Sequence, residues 1–154
     1  MDVRLTFTLD GAEISVLGGD IVTDDGLETA VMLSLLGGNE QDSGLESDKR
    51  RQWWGNFIEA DPARRYRSET LYLLNSLPLI PINAKRVAEA AKRDLSWLVE
   101  RDIARTLATR GSIAGVDRLL LEIALDVNGR ALGFRYESVR TGCDVRLTAA
   151  ETAQ

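Results

Sequence analysis

The sequence predicts an α+β fold in a single domain spanning residues 1–154. It reads as an N-terminal hairpin, three helices including one long amphipathic helix, and a C-terminal antiparallel hairpin forming a small sheet. Three observations carry that prediction. Residues 3–17 alternate apolar and polar side chains around Asp10-Gly11, residues 84–107 carry an apolar stripe at helical spacing, and residues 119–136 alternate again around Asn128-Gly129. Strands at both ends with helices between them fit a segregated sheet better than a parallel βαβ array.

Taken in order, Val3, Leu5, Phe7 and Leu9 alternate with Arg4, Thr6 and Thr8, the pattern of a half-buried strand. Asp10-Gly11 turns the chain, Ile14 and Val16 resume the alternation, and Gly18-Gly19 ends the hairpin. Asp24-Asp25-Gly26 leads into a helix over residues 27–36, where Leu27, Ala30, Val31, Ser34 and Leu35 share a face. Asp25 and Glu28 place negative charge at its positive end, and Gly37-Gly38 stops it. Residues 39–52 are polar and without periodicity, which predicts a flexible loop.

Ser68 is placed to cap a short helix in which Leu71, Leu74 and Leu77 align; Pro78 and Pro81 break it and leave Leu79-Ile80 extended. Asn83 then caps the longest helix, expected from Ala84 to about Leu107. Its inward stripe is Val87, Ala88, Ala91, Leu95, Leu98, Val99 and Ile103, with Trp97 shielding the edge. After Gly111 and Gly115 the period changes. Leu119, Leu121, Ile123, Leu125 and Val127 form one face of a strand, Asn128-Gly129 supplies two positions that tolerate positive φ, and Leu132, Phe134 and Tyr136 return. Val145 and Leu147 offer a last short strand, and residues 148–154 are expected to fray.

Composition removes several classes of function. The balance of 19 Lys+Arg against 24 Asp+Glu gives a formal net charge of −5 and a pI near 4.8, which on average repels a phosphate backbone, so nucleic acid is not an expected partner. The signs are segregated along the chain. Asp20, Asp24, Asp25, Glu28, Glu40, Asp42, Glu46 and Asp48 precede Lys49, Arg50, Arg51, Arg64, Arg65 and Arg67. Such a pattern suits pairing with neighbours or copies of the chain, and an ordinary solvated surface would also produce it. There is no histidine, which removes His-based triads and nearly all zinc-site patterns; with Cys143 alone, no internal disulfide can form. The N-terminus lacks a signal-peptide pattern and no apolar run reaches the roughly 20 residues of a membrane span, so no membrane partner is expected. The chain is expected to be made and kept in a cytoplasm, or packed into a particle there.

No catalytic or cofactor site emerges from the residues. Glu59 and Asp61 are the nearest to a paired-carboxylate site, but two residues apart in an irregular segment they carry little positional information. The glycine pairs lack the spacing and lysine of a phosphate loop, and Asp24-Asp25 lacks the ligand ladder of a calcium loop. Trp53-Trp54-Gly55 is the unusual feature. Two adjacent indoles in an extended segment face different ways. Both can cover the domain's own core, or one can anchor a partner, a role that the flanking arginines favour. Stacking on single-stranded nucleic acid is a third use, opposed by the net charge.

Three stretches in order resemble the Mu-like phage tail baseplate wedge family. They are Asp20-Ile21-Val22-Thr23 with Gly26-Leu27-Glu28-Thr29-Ala30-Val31, then Arg50-Arg51-Gln52-Trp53-Trp54-Gly55, then Ser96-Trp97-Leu98-Val99-Glu100. The family is related to the lysozyme-like wedge proteins of contractile phages. The resemblance covers roughly residues 18–128. It implies a non-catalytic, cofactor-free component of a tail baseplate in the virion, assembled in the host cytoplasm. Such a component holds wedge subunits together and templates the sheath. The wider group's Glu-Pro-Arg signature is absent, and Glu59 to Arg64 is only a loose echo of it. Implied partners are other wedge proteins, the sheath protein, and tube or hub proteins.

On this reading Arg50, Arg51, Trp53, Trp54, Arg64 and Arg65 are the expected wedge interface. Leu121, Ile123, Leu125, Phe134 and Tyr136, in the terminal hairpin, are the expected edge for an incoming sheath strand. A tail assembly chaperone or adaptor is the alternative, and a muralytic enzyme a more distant one.

Overall fold

Period-two alternation and period-3.6 stripes sort the chain into two layers, with helices packed on one face of an antiparallel sheet. The computed structural model describes residues 2–3, 5–8, 11–14, 16–18, 20–21, 23–24, 26–37, 55–141 and 144–151. Six short strands come first: β1 Asp2–Val3, β2 Leu5–Thr8, β3 Gly11–Ile14, β4 Val16–Leu17, β5 Asp20–Ile21 and β6 Thr23–Asp24. The expected hairpin forms between β2 and β3, from Leu5 opposite Ile14 to Thr8 opposite Gly11. β4 and β5 make a second hairpin, and β1 returns against β6. Ile14, Val16 and Leu17 are exposed, which is unusual for three large apolar residues so close together.

Helix α1, Leu27–Leu36, buries Val31, Met32, Ser34 and Leu35. A short α2, Gly55–Ile58, and a 3-10 turn at Pro62–Arg64 precede α3, Glu69–Ser76, and α4, Pro81–Asp94. α4 starts three residues earlier than its expected first residue, because Pro81 occupies its first position, where a missing N–H costs nothing. Asn83 is therefore not its cap: its side-chain amide donates instead to the Pro78 carbonyl at 2.9 Å.

The long helix is also shorter than expected. It bends at Leu95, continues as α5, Ser96–Glu100, and ends where Asp102 takes φ 56°. Ile103 N–H reaches back to the Leu98 carbonyl and Asp102 N–H to the Val99 carbonyl, a Schellman closure with aspartate at the left-handed position. The bend explains the burial pattern: Val87, Ala88, Ala91, Leu95 and Leu98 are buried as expected, while Val99 and Ile103 turn outward.

The chain then enters β7, Thr106–Ile113, a strand in place of the expected helix end. β8, Arg118–Val127, β9, Arg130–Thr141, and β10, Asp144–Glu151, complete a sheet in the order β10-β9-β8-β7. Asn128 and Gly129 both have positive φ and join Val127 to Arg130 in a two-residue turn, as the sequence predicts. Leu119, Leu121, Ile123, Leu125 and Tyr136 face the helices and are buried with the α1, α3 and α4 residues in one core. α4 lies very close to β7. A Cβ built on Gly111 would sit 2.0 Å from the Ala84 carbonyl oxygen, and Thr109 Oγ1 donates to the Ala88 carbonyl at 2.8 Å. No helix among the described residues is long and apolar enough to cross a membrane.

Candidate partner interface

Gly55 follows directly on Trp54, and from there the chain folds into a small lobe closed by its own side chains. Asn56 is buried; its amide nitrogen donates to the Tyr66 carbonyl at 2.9 Å and its amide oxygen accepts the Tyr66 N–H at 3.0 Å. Within that clamp, Asp61 accepts the Ala63 N–H at 3.0 Å and opens the Pro62–Arg64 turn, while Glu59 accepts the Asp61 N–H at 3.0 Å. Arg65 forks onto the Glu59 carbonyl oxygen with bonds of 2.9 and 2.7 Å. Both carboxylates thus accept backbone N–H groups and brace the loop.

The lobe faces α5. Trp97 is oriented from behind: its indole N–H donates to Ser34 Oγ at 2.9 Å, and that hydroxyl donates to the Ala30 carbonyl at 2.7 Å. The Arg101 guanidinium lies over the Trp97 ring, 5.6 Å from its centroid, one helical turn on. Between these two residues and Ala63, Arg64, Arg65 and Tyr66 is a pocket of about 120 Å³. Three arginines contribute to its lining. Among the described residues the counter-charge is slight: Arg64, 61% exposed, has Glu59 at 3.9 Å, a distance at which an exposed pair contributes little. On the same lobe Phe57 and Ile58 are 60% and 72% exposed. Arginine beside aromatic and apolar side chains is the composition of interface hot spots.

α3 and α4 hold this arrangement in place. Ser68 occupies the residue before α3, but does not cap it as expected. It is buried with φ 57°, and its hydroxyl donates to the Ser34 carbonyl at 2.9 Å, satisfying the open end of α1. The cap comes from α4: Asp94 accepts the Glu69 N–H at 3.1 Å, the Thr70 N–H at 2.8 Å and the Thr70 hydroxyl at 2.7 Å. Arg93 beside it makes a two-pronged ion pair with Glu69, both bonds 2.8 Å. Burial pushes the Asp94 carboxyl above the usual carboxylate range, against the pull of its bonds to Thr70 and Glu69.

Of the expected wedge residues, Arg64 and Arg65 come together at the pocket, while Arg50, Arg51, Trp53 and Trp54 lie outside the described residues. The expected sheath edge is corrected. Leu121, Ile123, Leu125 and Tyr136 are buried in the core and Phe134 is half-buried against it. β8 and β9 are inner strands, each paired on both sides, so neither offers free backbone groups. Sequence reading missed Trp97 and Arg101 as members of the arginine site. Their spacing of four on one helix was the available signal, hidden because Trp97 fitted the rim of an apolar stripe.

No family model and no solved structure matches the chain. Its sequence is similar to baseplate protein gp46 of Escherichia phage Mu, with 27% identity over 146 residues, covering 92% of this chain and 98% of that protein.

Proposed function

We propose that this chain is a structural component of a phage-type tail baseplate, where it joins neighbouring wedge subunits and helps to start the sheath. The observation that carries the reading is the end-to-end similarity to a baseplate protein, which leaves 2% of that protein's length unmatched. The lobe is the natural wedge contact. It places Arg64, Arg65, Phe57 and Ile58 on the surface, and the sequence that leads into it is Arg50, Arg51, Trp53 and Trp54. For the sheath, β7 offers a backbone edge: among the described residues it pairs with β8 alone, as β10 at the other side of the sheet pairs with β9 alone but has β2 close by.

Tail particles purified from a producing cell test the reading. Mass spectrometry should find this chain in the baseplate fraction at a fixed ratio to other baseplate subunits. Its presence during assembly and absence from finished particles would make it a chaperone and overturn the proposal.

A further inference from the structure

The pocket between the lobe and α5 has a chemistry more specific than a general contact surface. We infer that it receives the carboxylate side chain of an acidic segment on a neighbouring protein subunit. Arg64 and Arg101 supply the charge, Trp97 the floor against which the aliphatic stem lies, and Arg65 a guanidinium fixed by its fork onto Glu59.

Four observations favour this occupant. Three arginines contribute to the lining, and among the described residues Glu59 is the one acid paired with any of them, at 3.9 Å from Arg64, so an incoming carboxylate adds counter-charge there. Its volume of about 120 Å³ suits one side chain and gives no continuous track for a polyanion; the net charge of −5 further opposes nucleic acid. Phe57 and Ile58 on the same lobe supply apolar area for residues flanking the acid. The Trp97 bond to Ser34 means the pocket wall is set before a partner arrives, which lowers the ordering cost of binding.

The pocket chemistry can be read without a baseplate, although the identity of the neighbour as another tail subunit rests on the proposed function. The probe is a capped glutamate-rich hexapeptide, with its glutamine counterpart as control, titrated into the full chain. The Trp97 indole N–H resonance, assigned through Trp97→Phe, is the readout. The glutamate peptide should move that resonance and the glutamine peptide should not. Arg64→Gln and Arg101→Gln should each weaken binding roughly tenfold, the size of one charge-assisted hydrogen bond. Unchanged melting temperatures establish that both variants are folded.

Equal response to both peptides, or undiminished binding in both variants, overturns the inference. Sedimentation of the chain alone covers the remaining case: self-association abolished by Arg64→Glu would make the occupant a second copy and overturn the assignment to another subunit. A wild-type chain missing from particles would sink the baseplate reading while leaving the peptide result standing.

Discussion

Asp94 does for α3 what Ser68, sitting at the head of that helix, does not. Ser68 is turned away into the end of α1, and three donors at the start of α3, on Glu69 and Thr70, converge on the carboxylate of Asp94 at the far end of α4. Replacing Asp94 with alanine leaves two N–H groups and a hydroxyl without their acceptor and should cost about 1–2 kcal/mol in denaturant unfolding. The pH dependence has a definite sign. Burial raises the folded pKa, so the stability linked to this carboxyl is fully present below the unfolded pKa and is lost as pH rises through the folded one. The penalty of Asp94→Asn should accordingly be larger at about pH 4 than at about pH 7, when the melts of the two proteins are compared.

Tyr136 shows the opposite balance. Its hydroxyl is buried with no hydrogen-bond partner among the described residues, and burial, with the Glu28 charge adding, holds the phenol neutral. Tyr136→Phe keeps the ring in the core and removes the unsatisfied group, so it should raise stability by about 1 kcal/mol. A lower melting temperature would show that the hydroxyl is satisfied in solution.

At the scale of elements, the regular strands and the first helix were legible because their apolar residues repeat with one period and stop at glycine. β8, β9 and their turn are the plainest case, and α1 ends at Gly37 as its sequence indicates. β7 was not legible, for a physical reason. Its inward positions, Leu107, Thr109, Gly111 and Ile113, face Leu125, Ile123, Leu121 and Leu119, but α4 comes so close that two of the four are Thr and Gly. The contact that makes the strand also removes the apolar signal that would announce it, and Gly111 reads as a break.

The bend at Leu95 was hidden in the same way. No proline or glycine marks it; the bond from Trp97 to Ser34 and the bonds from Asp94 to α3 act at a distance the local sequence does not record. Gly111→Ala tests the close approach. The added methyl meets the Ala84 carbonyl and must push α4 off the sheet, so a loss of about 1–3 kcal/mol is expected. Ala108→Gly on the exposed face of the same strand separates this from a simple change in strand propensity, since it should cost well under half as much.

Across the whole molecule, the arginine pocket and the open strand belong to different elements: the lobe with α5, and β7 at the margin of the sheet. The arginine cluster is visible in sequence as charge, but not as a pocket, because Trp97 comes from 32 residues beyond Arg65; the terminal hairpin reads in sequence as an edge because β7, which covers β8, is not legible there. Register now says which groups β7 can offer. Ala114 N–H bonds the Arg118 carbonyl, and antiparallel pairs alternate, so the N–H groups of Leu107, Thr109, Gly111 and Ile113 point away from β8.

Ile113 stands at the strand end, next to a turn whose Val116 is almost fully exposed. Proline there removes one outward donor and no bond to β8, a substitution that edge strands tolerate. Ile113→Ala removes the same packing and keeps the donor. Both variants should fold, each losing about 1 kcal/mol from the half-buried side chain. If a sheath strand adds to this edge, particles carrying Ile113→Pro should show baseplates with few or no sheaths by electron microscopy, while Ile113→Ala sheaths are of normal length. Sheaths of normal length with both would remove β7 from the assembly and leave the arginine pocket unaffected.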